Sequence, residues 1–108
     1  MNKYRNRKTV VDGITFDSKK ERNRYLELKM LQRAGKISDL ELQPKFEIVP
    51  KVGKYRARFY IADFQYRVNG NVIVEDVKSA ITKKNPVYTL KRQLFLYRYG
   101  DSIIFLET

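Results

Sequence analysis

The chain has 108 residues, no cysteine, no histidine and a formal net charge of +11, from 23 lysines and arginines against 12 aspartates and glutamates. This length predicts one domain with a modest core. The missing residue types exclude disulfide frameworks, the usual structural zinc sites, thiol nucleophiles and imidazole bases. Any catalysis therefore has to use carboxylates, lysines and metal ions.

The basic surplus predicts a polyanionic partner. Nucleic acid is favoured over an anionic membrane surface, because the basic residues are spread along the whole chain instead of lining one amphipathic helix. No segment approaches the roughly 20 apolar residues of a membrane span, and the N-terminus lacks the apolar core of a signal peptide. We therefore expect a cytoplasmic protein of a bacterial cell that binds DNA and has no membrane association.

The first third of the chain predicts an arm followed by a helix. Residues 1–12 are basic and polar, and they predict an arm that orders on phosphates or packs loosely on the body, with a solvated tail as an equally open alternative. In residues 18–34, Tyr25, Leu28 and Leu31 recur at helical spacing, and Gly35 supplies the stop.

The middle of the chain predicts strands. Residues 40–49 alternate apolar and polar, and they predict a strand that Pro44 interrupts or places at a sheet edge. Two β-rich runs, 56–68 and 71–78, flank Asn69-Gly70. This pair best tolerates the positive φ angles of a two-residue type I′ turn, so the two runs are predicted to form a hairpin.

The last third predicts a basic loop at 80–86, a second helix at 87–99 and a short buried strand at 103–106. Within the helix, Leu90, Leu94 and Tyr97 are the expected core positions. The order helix, three strands, helix, strand predicts a mixed α/β fold whose central sheet is flanked by helices.

The predicted hairpin carries the main functional signal. A turn at Asn69-Gly70 places Asp63 opposite Asp76 and Ile61 opposite Lys78. Opposed side chains in an antiparallel pair lie roughly 5 Å apart at Cβ, and like charges at this spacing destabilise the sheet. A divalent cation such as Mg²⁺ or Mn²⁺ would relieve the repulsion, because both prefer hard oxygen ligands, and Lys78 adds a second positive charge.

The acidic and basic residues of this hairpin also resemble a known active site. Glu21, Asp63 in I-A-D-F, and Asp76-Val77-Lys78 in V-E-D-V-K-S resemble the pattern of the PD-(D/E)XK nuclease superfamily. The stretches V-D-G-I-T-F-D-S-K-K-E-R-N-R-Y-L-E-L and L-Q-P-K-F-E resemble, more closely, a small phage- and prophage-borne family of that superfamily. Its relatives include phage Holliday-junction resolvases and the end-cutting endonucleases of some transposons. One departure is Ala62, which stands where a proline often precedes the first aspartate.

The resemblance implies a restriction-endonuclease-like αβββαβ core and a role for each motif residue. Asp63 and Asp76 would bind Mg²⁺ or Mn²⁺, with the main-chain carbonyl of Val77 among the ligands. Glu21 would complete or support the metal site, and Lys78 would position or polarise the attacking water. A metal ion that activates water removes the need for histidine.

Further residues are expected to contact DNA, because they carry positive charge or amide groups that bind phosphates. These residues are Lys3, Arg5, Arg7, Lys8, Gln43, Lys83, Lys84, Lys91 and Arg92.

Each functional interpretation has a structural alternative. Glu21 stands three residues after Ser18 and is the last member of a capping box, so it can simply satisfy the start of the helix. Asp63 can be a strand carboxylate that pairs with a nearby cation, and Gln43 can be an ordinary edge-strand residue. Strand alternation sends Glu75 to the face opposite Asp76, so it is expected to matter less, unless a bulge exchanges the two.

The sequence therefore predicts a metal-dependent endodeoxyribonuclease that hydrolyses DNA phosphodiester bonds, with branched DNA such as Holliday junctions as a candidate substrate. A homodimer is an open expectation, because cutting two strands requires two active sites. The main rival is a non-catalytic basic nucleic-acid-binding module with the same fold. A small phage protein that binds a host or replication protein is a third possibility, against which the high charge argues.

Overall fold

The computed structural model describes residues 8–108, and this range forms a mixed α/β fold, as the sequence predicts. The elements in chain order are β1 (Thr9–Val11), β2 (Ile14–Phe16), α1 (Lys19–Arg33), β3 (Ser38–Leu42), β4 (Lys45–Val49), β5 (Arg58–Ile61), β6 (Phe64–Val68), β7 (Asn71–Asp76), α2 (Ala80–Lys83), α3 (Pro86–Tyr99) and β8 (Ile104–Glu107).

The hairpin of β6 and β7 has the predicted register. Its turn residues Asn69-Gly70 have positive φ angles of 50° and 84°, as a type I′ turn requires. The pairing runs from Val68 opposite Asn71 to Phe64 opposite Glu75. One position further along the chain, this register brings Asp63 level with Asp76.

Two of the predicted strands are interrupted, and one of the two breaks contains Asp63. The single strands predicted for 40–49 and 56–68 each form two strands, with the breaks at residues 43–44 and 62–63. Pairing continues across the breaks, because Gln43 donates its N–H to the Asp63 carbonyl (3.0 Å) and Ala62 donates to the Pro44 carbonyl (3.1 Å). The predicted pairing of Ile61 with Lys78 is wrong, because the β6–β7 pairing ends at Phe64 and Glu75 and Ile61 belongs to β5, where it pairs with Lys45.

The main sheet is mixed and has the order β3-β6-β7-β8. The β3–β6 and β6–β7 pairs are antiparallel, whereas β8 runs parallel to β7. The last strand was predicted to be buried, but its side chains alternate, and Ile104 and Leu106 are partly exposed. Beyond it, the Thr108 N–H donates to the Asp76 carbonyl (2.8 Å), and the Lys78 N–H donates to the Thr108 carbonyl (3.0 Å).

Two hydrophobic cores form, because neighbouring residues of β7 point to opposite faces of the sheet. Ile73 belongs to one core, which contains Tyr25 and Leu28 of α1. Val74 belongs to the other, which contains Phe95 of α3. Each helix thus covers one core of the sheet region, and Glu75 and Asp76 extend the two faces toward the end of the strand.

The prediction of an arm at residues 1–12 is wrong from Thr9 onward. Residues 9–16 form a hairpin of β1 and β2, closed by Asp12-Gly13 with φ angles of 53° and 75°. This is the same kind of turn signal as Asn69-Gly70, and it was available in the sequence. The residues Lys3, Arg5 and Arg7 of the predicted arm lie outside the described residues.

The structure confirms where the two predicted helices lie along the chain, but not every core residue predicted for them. The predicted first helix is confirmed: Ser18 accepts a hydrogen bond from the Glu21 N–H (3.1 Å) as the N-cap of α1. The predicted loop at 80–86 contains the short helix α2. In α3 the expected core position Leu94 is confirmed, whereas Leu90 and Tyr97 are exposed and Phe95 is buried instead. Within residues 8–108, no helix is long and apolar enough to cross a membrane.

Candidate active site

Two carboxylates and one ammonium group meet where β7 ends. Lys78 Nζ lies 3.5 Å from Asp63 Oδ2 and 3.2 Å from Asp76 Oδ1. The Asp76 side chain is fully buried, and those of Asp63 and Lys78 are mostly buried. The structure thus brings these three side chains together, and their roles in a functional site stay predictions.

The backbone around Asp63 fixes its carboxylate. Asp63 lies at the break between β5 and β6, and its N–H donates to the Glu75 carbonyl (3.2 Å). Asp63 Oδ2 also accepts a hydrogen bond from the Val77 N–H (2.7 Å). The break lets the side chain contact the neighbouring strand end, so the carboxylate turns toward Lys78.

Burial and the close approach of charged groups shift the pKa values of Asp63 and Lys78. The pKa of Asp63 is raised to about 7: burial is the largest cause, Lys78 opposes it and Asp76 adds to it. Burial lowers the pKa of Lys78, but the carboxylates of Asp63 and Asp76 more than offset this, and the net pKa is raised. The site therefore favours cations next to Asp63 and keeps Lys78 charged.

A cleft of about 320 Å³ opens onto this group. Glu21, from the first turn of α1, faces it, and burial followed by the nearby Asp17 raises the pKa of Glu21. The Ser18 cap predicted as the alternative role is present, but within the described residues the Glu21 carboxylate makes no return hydrogen bond to Ser18. The cleft lining consists of Asp17, Ser18, Lys20, Glu21, Asp63, Val77, Lys78, Ser79 and Thr82.

Two observations bear on whether the site fits a divalent cation. Asp76 Oδ1 is buried and has no hydrogen-bond donor, because Lys78 approaches it at ion-pair distance without the required orientation. In residues 8–108, no three acidic side chains lie close enough to form a ready ligand set. The carboxylate oxygens of Asp63 and Asp76 are the donor type that a hard divalent cation prefers, so the fit rests on these two residues. The metal roles of Glu21 and of the Val77 carbonyl stay predictions.

Glu75 lies on the opposite face of the sheet, as strand alternation predicts. It is fully buried and accepts hydrogen bonds from Arg24 at both oxygens (2.6 Å and 3.0 Å) and from Tyr66 (2.7 Å). The hydrogen bond with Glu75 is the main reason why the pKa of Arg24 is raised. This carboxylate is satisfied by α1 and holds the helix to the sheet.

The comparison with known protein families gives a match over nearly the whole chain. A family model described as "Protein of unknown function (DUF1064)" matches residues 1–105. The chain belongs to this family. No curated protein and no solved structure matches it. The description of the DUF1064 family names no activity, so the function has to be argued from the site.

The remaining predicted DNA contacts are spread over the DUF1064 domain. Gln43 is exposed and lines a second cavity of about 310 Å³, which shares Glu21 and Asp63 with the cleft. Lys91 lies at a different groove, beside Leu90 and Arg58. Arg92 is bound to Glu107 (2.7 Å), so its guanidinium already has a carboxylate partner.

The predicted DNA contacts that remain are Lys8, at the start of the described residues, and Lys83 and Lys84, near the cleft. Lys8 is exposed before β1. Lys83 ends α2, the helix whose Thr82 lines the cleft, and Lys84 is the exposed residue that caps it. Their roles in DNA binding stay predictions. We regard Lys83, Lys84 and Gln43 as the best placed of the predicted contacts, because both lysines lie at the end of α2 beside the cleft and Gln43 lines the cavity that shares Glu21 and Asp63 with it.

Sequence reasoning missed the residues behind Asp76 in the DUF1064 site. Tyr60 donates a hydrogen bond to Asp76 Oδ2, and the Tyr88 hydroxyl lies 3.5 Å from the same oxygen. Tyr88 donates to Glu107. Burial raises the pKa of Glu107, but the hydrogen bonds from Tyr88 and Arg92 lower it, and the net pKa lies below its usual value. No local sequence signal marks these residues, because the pairing of β8 with β7 brings Glu107 to the site.

Proposed function

We propose that this protein is a Mg²⁺- or Mn²⁺-dependent endodeoxyribonuclease of the PD-(D/E)XK type. The observation that carries the proposal is the convergence of Asp63, Asp76 and Lys78 where β7 ends. Asp63 and Lys78 line one cleft, and Asp76 is buried behind them with one oxygen that lacks a hydrogen-bond donor. The net charge of +11 supports DNA as the substrate.

The fold is compatible with the proposed superfamily. If the interrupted strands β3–β4 and β5–β6 are each counted once, the order from α1 onward is αβββαβ, apart from the short α2. In the proposed assignment, the site lies where β7 ends and the chain continues into Lys78. A phage or prophage origin, a cytoplasmic location and a homodimer belong to the same proposal.

The chain's own residues account for the proposed chemistry. Asp63 and Asp76 would hold the cation, which when bound lowers the pKa of a water molecule and stabilises charge on the phosphate. Lys78 would place its ammonium beside the scissile phosphate and the attacking water. Glu21 would accept a proton or orient water from the other side of the cleft. The mostly buried position of the site strengthens each of these electrostatic contacts.

One observation favours the rival function, a non-catalytic module that binds nucleic acid. Lys78 contacts both carboxylates at once, so it reduces their repulsion without a metal ion. Such a site could preserve the fold and present the basic surface with no cleavage. The two functions differ in their need for a metal.

The first experiment separates these functions by metal dependence. Wild-type protein is incubated with labelled four-way junction, flap, single-stranded and linear duplex DNA in Mg²⁺, Mn²⁺ or EDTA. We expect cleavage of at least one substrate in Mg²⁺ or Mn²⁺ and none in EDTA. Salt-sensitive binding to all four substrates with no product in either metal would identify the non-catalytic module instead.

A lysine variant tests whether Lys78 competes with the metal. Lys78→Met removes the ammonium and keeps most of the side-chain volume. We expect Mn²⁺ to bind about tenfold more tightly, because the loss of two contacts between unit charges is worth at least about 1.4 kcal/mol. Cleavage should nevertheless slow by about a hundredfold, because the phosphate loses a positive partner.

Electron paramagnetic resonance of free Mn²⁺ measures this affinity directly. Lys36→Met is the matched control, because Lys36 is an exposed lysine in the turn after α1 and is not one of the predicted DNA contacts. It should leave both Mn²⁺ affinity and cleavage rate unchanged. Weaker Mn²⁺ binding by Lys78→Met would show that Lys78 supports the cation instead of competing with it.

A further inference from the structure

The two oxygens of the Asp76 carboxylate have different surroundings. Oδ2 accepts the hydrogen bond from the Tyr60 hydroxyl, and the Tyr88 hydroxyl lies 3.5 Å from it. Oδ1 faces Lys78 (3.2 Å) and has no hydrogen-bond donor. Because the side chain is fully buried, water does not average out this difference. One oxygen is therefore hydrogen-bonded to the protein, and the other is paired only with the ammonium of Lys78.

Tyr60 is itself held in place. It is 3% exposed, and its ring stacks on Phe95 of α3 at a centroid distance of 4.6 Å and an angle of 16°. Its backbone pairs with Phe46 in the β4–β5 ribbon. The hydroxyl therefore has little freedom to leave Asp76, and it lies on the side of the carboxylate opposite to the one that faces Lys78.

Tyr88 adds a second contact from α3. Its hydroxyl donates to Glu107, which is also bound by Arg92 (2.7 Å). The ring centroids of Tyr60 and Tyr88 are 6.4 Å apart. The chain of contacts Arg92, Glu107, Tyr88 and Asp76 links α3 and β8 to the carboxylate, so its position depends on three separate elements.

We propose that Tyr60, supported by Tyr88, is a positioning residue that engages Asp76 Oδ2 and leaves Oδ1 as the oxygen that binds the divalent cation. This inference rests on the proposed function and adds to it the residues that orient the metal ligand. Hydrogen-bonded partners behind a metal ligand commonly contribute 10–100-fold to metal affinity or activity. They act by limiting the rotation of the ligand, which a free carboxylate would otherwise undergo.

A pair of tyrosine variants tests the proposal. Tyr60→Phe removes only the hydroxyl that contacts Asp76. Tyr99→Phe is the matched control, because Tyr99 packs on the same Phe95 ring (5.6 Å) but donates its hydroxyl to the Glu47 carbonyl (2.8 Å). We expect Tyr60→Phe to weaken Mn²⁺ binding by about tenfold, and Tyr99→Phe to leave it unchanged.

Mn²⁺ affinity is measured by electron paramagnetic resonance without DNA, and cleavage is then measured against Mn²⁺ concentration. For Tyr60→Phe, the half-saturating Mn²⁺ concentration should rise about tenfold, while the rate at saturating Mn²⁺ changes less than threefold. A purely structural role would instead lower the melting temperature of both variants and leave the Mn²⁺ affinity of the folded protein unchanged. That result would overturn the inference.

Two further outcomes are informative. If wild-type protein binds Mn²⁺ and Tyr60→Phe binds it equally well, this inference fails and the proposed nuclease stands. If wild-type protein binds no Mn²⁺, the proposed function fails and the inference fails with it.

Tyr88→Phe provides a second test if Tyr60→Phe does not fold. We expect about threefold weaker Mn²⁺ binding, and unchanged binding would overturn the role of the tyrosine pair.

Discussion

Asp76→Asn should cut DNA about a thousandfold more slowly than wild type and bind it at least as tightly. The substitution keeps the side-chain volume, and its amide oxygen can still accept the hydrogen bond from Tyr60. It removes one of the two charges that would hold the cation, and losing one preorganised electrostatic contact at a reacting group costs roughly 10²–10³-fold. One negative charge fewer cannot weaken attraction to a polyanion.

The measurement pairs single-turnover cleavage in Mn²⁺ with DNA binding in EDTA. Asp101→Asn is the control, because it makes the same chemical change at an exposed aspartate in the turn after α3. Asp101→Asn should behave as wild type in both assays. If Asp76→Asn is folded and cuts at the wild-type rate, Asp76 is not a metal ligand and the proposed site is wrong.

Arg24→Met should lower the free energy of unfolding by about 3 kcal/mol. Arg24 binds both oxygens of Glu75, a carboxylate with no exposed surface. Removing one partner of a buried ion pair typically costs 3–5 kcal/mol, because the remaining charge is left buried without compensation. The lower end applies here, because the Arg24 side chain is 26% exposed and water can reach part of the gap.

Urea unfolding of the variant and two comparisons measures this effect. The double variant Arg24→Met/Glu75→Gln should recover part of the loss, because a neutral amide can still accept from Tyr66 and no charge stays buried. Arg67→Met is the control: Arg67 pairs with Asp39 at 3.5 Å on the exposed surface, and such pairs contribute about 0–1 kcal/mol. Equal losses for Arg24→Met and Arg67→Met would mean that Glu75 is solvated.

The sequence predicts best where a local rule decides the geometry. Asn69-Gly70 sets the turn, the turn sets the register, and the register brings Asp63 level with Asp76. The bounds of α1 follow in the same way from Ser18 and Gly35. Asp12-Gly13 carries the same signal for the β1–β2 hairpin, but the basic charge of the residues before it predicts an arm instead.

Prediction fails where long-range contacts decide. In α3, apolar and aromatic residues occur on every side, so spacing could not show that Phe95 is buried and Tyr97 exposed. Tyr60 and Glu107 contact the site only because the β4–β5 ribbon and the parallel strand β8 bring them there. The nuclease assignment and its metal stay predictions, because the site geometry supports them without testing them.

The parallel pairing of β8 with β7 has a consequence for the order of folding. The β6–β7 hairpin is local, and hairpins form in about 1–10 μs. By contrast, β8 can bind the backbone around Asp76 and Lys78 only after α3 has crossed over, and such non-local closure is slower. We therefore expect a newly synthesised chain to be positively charged before its site is ordered. In the proposed nuclease, attraction to DNA would then precede the ability to cut it.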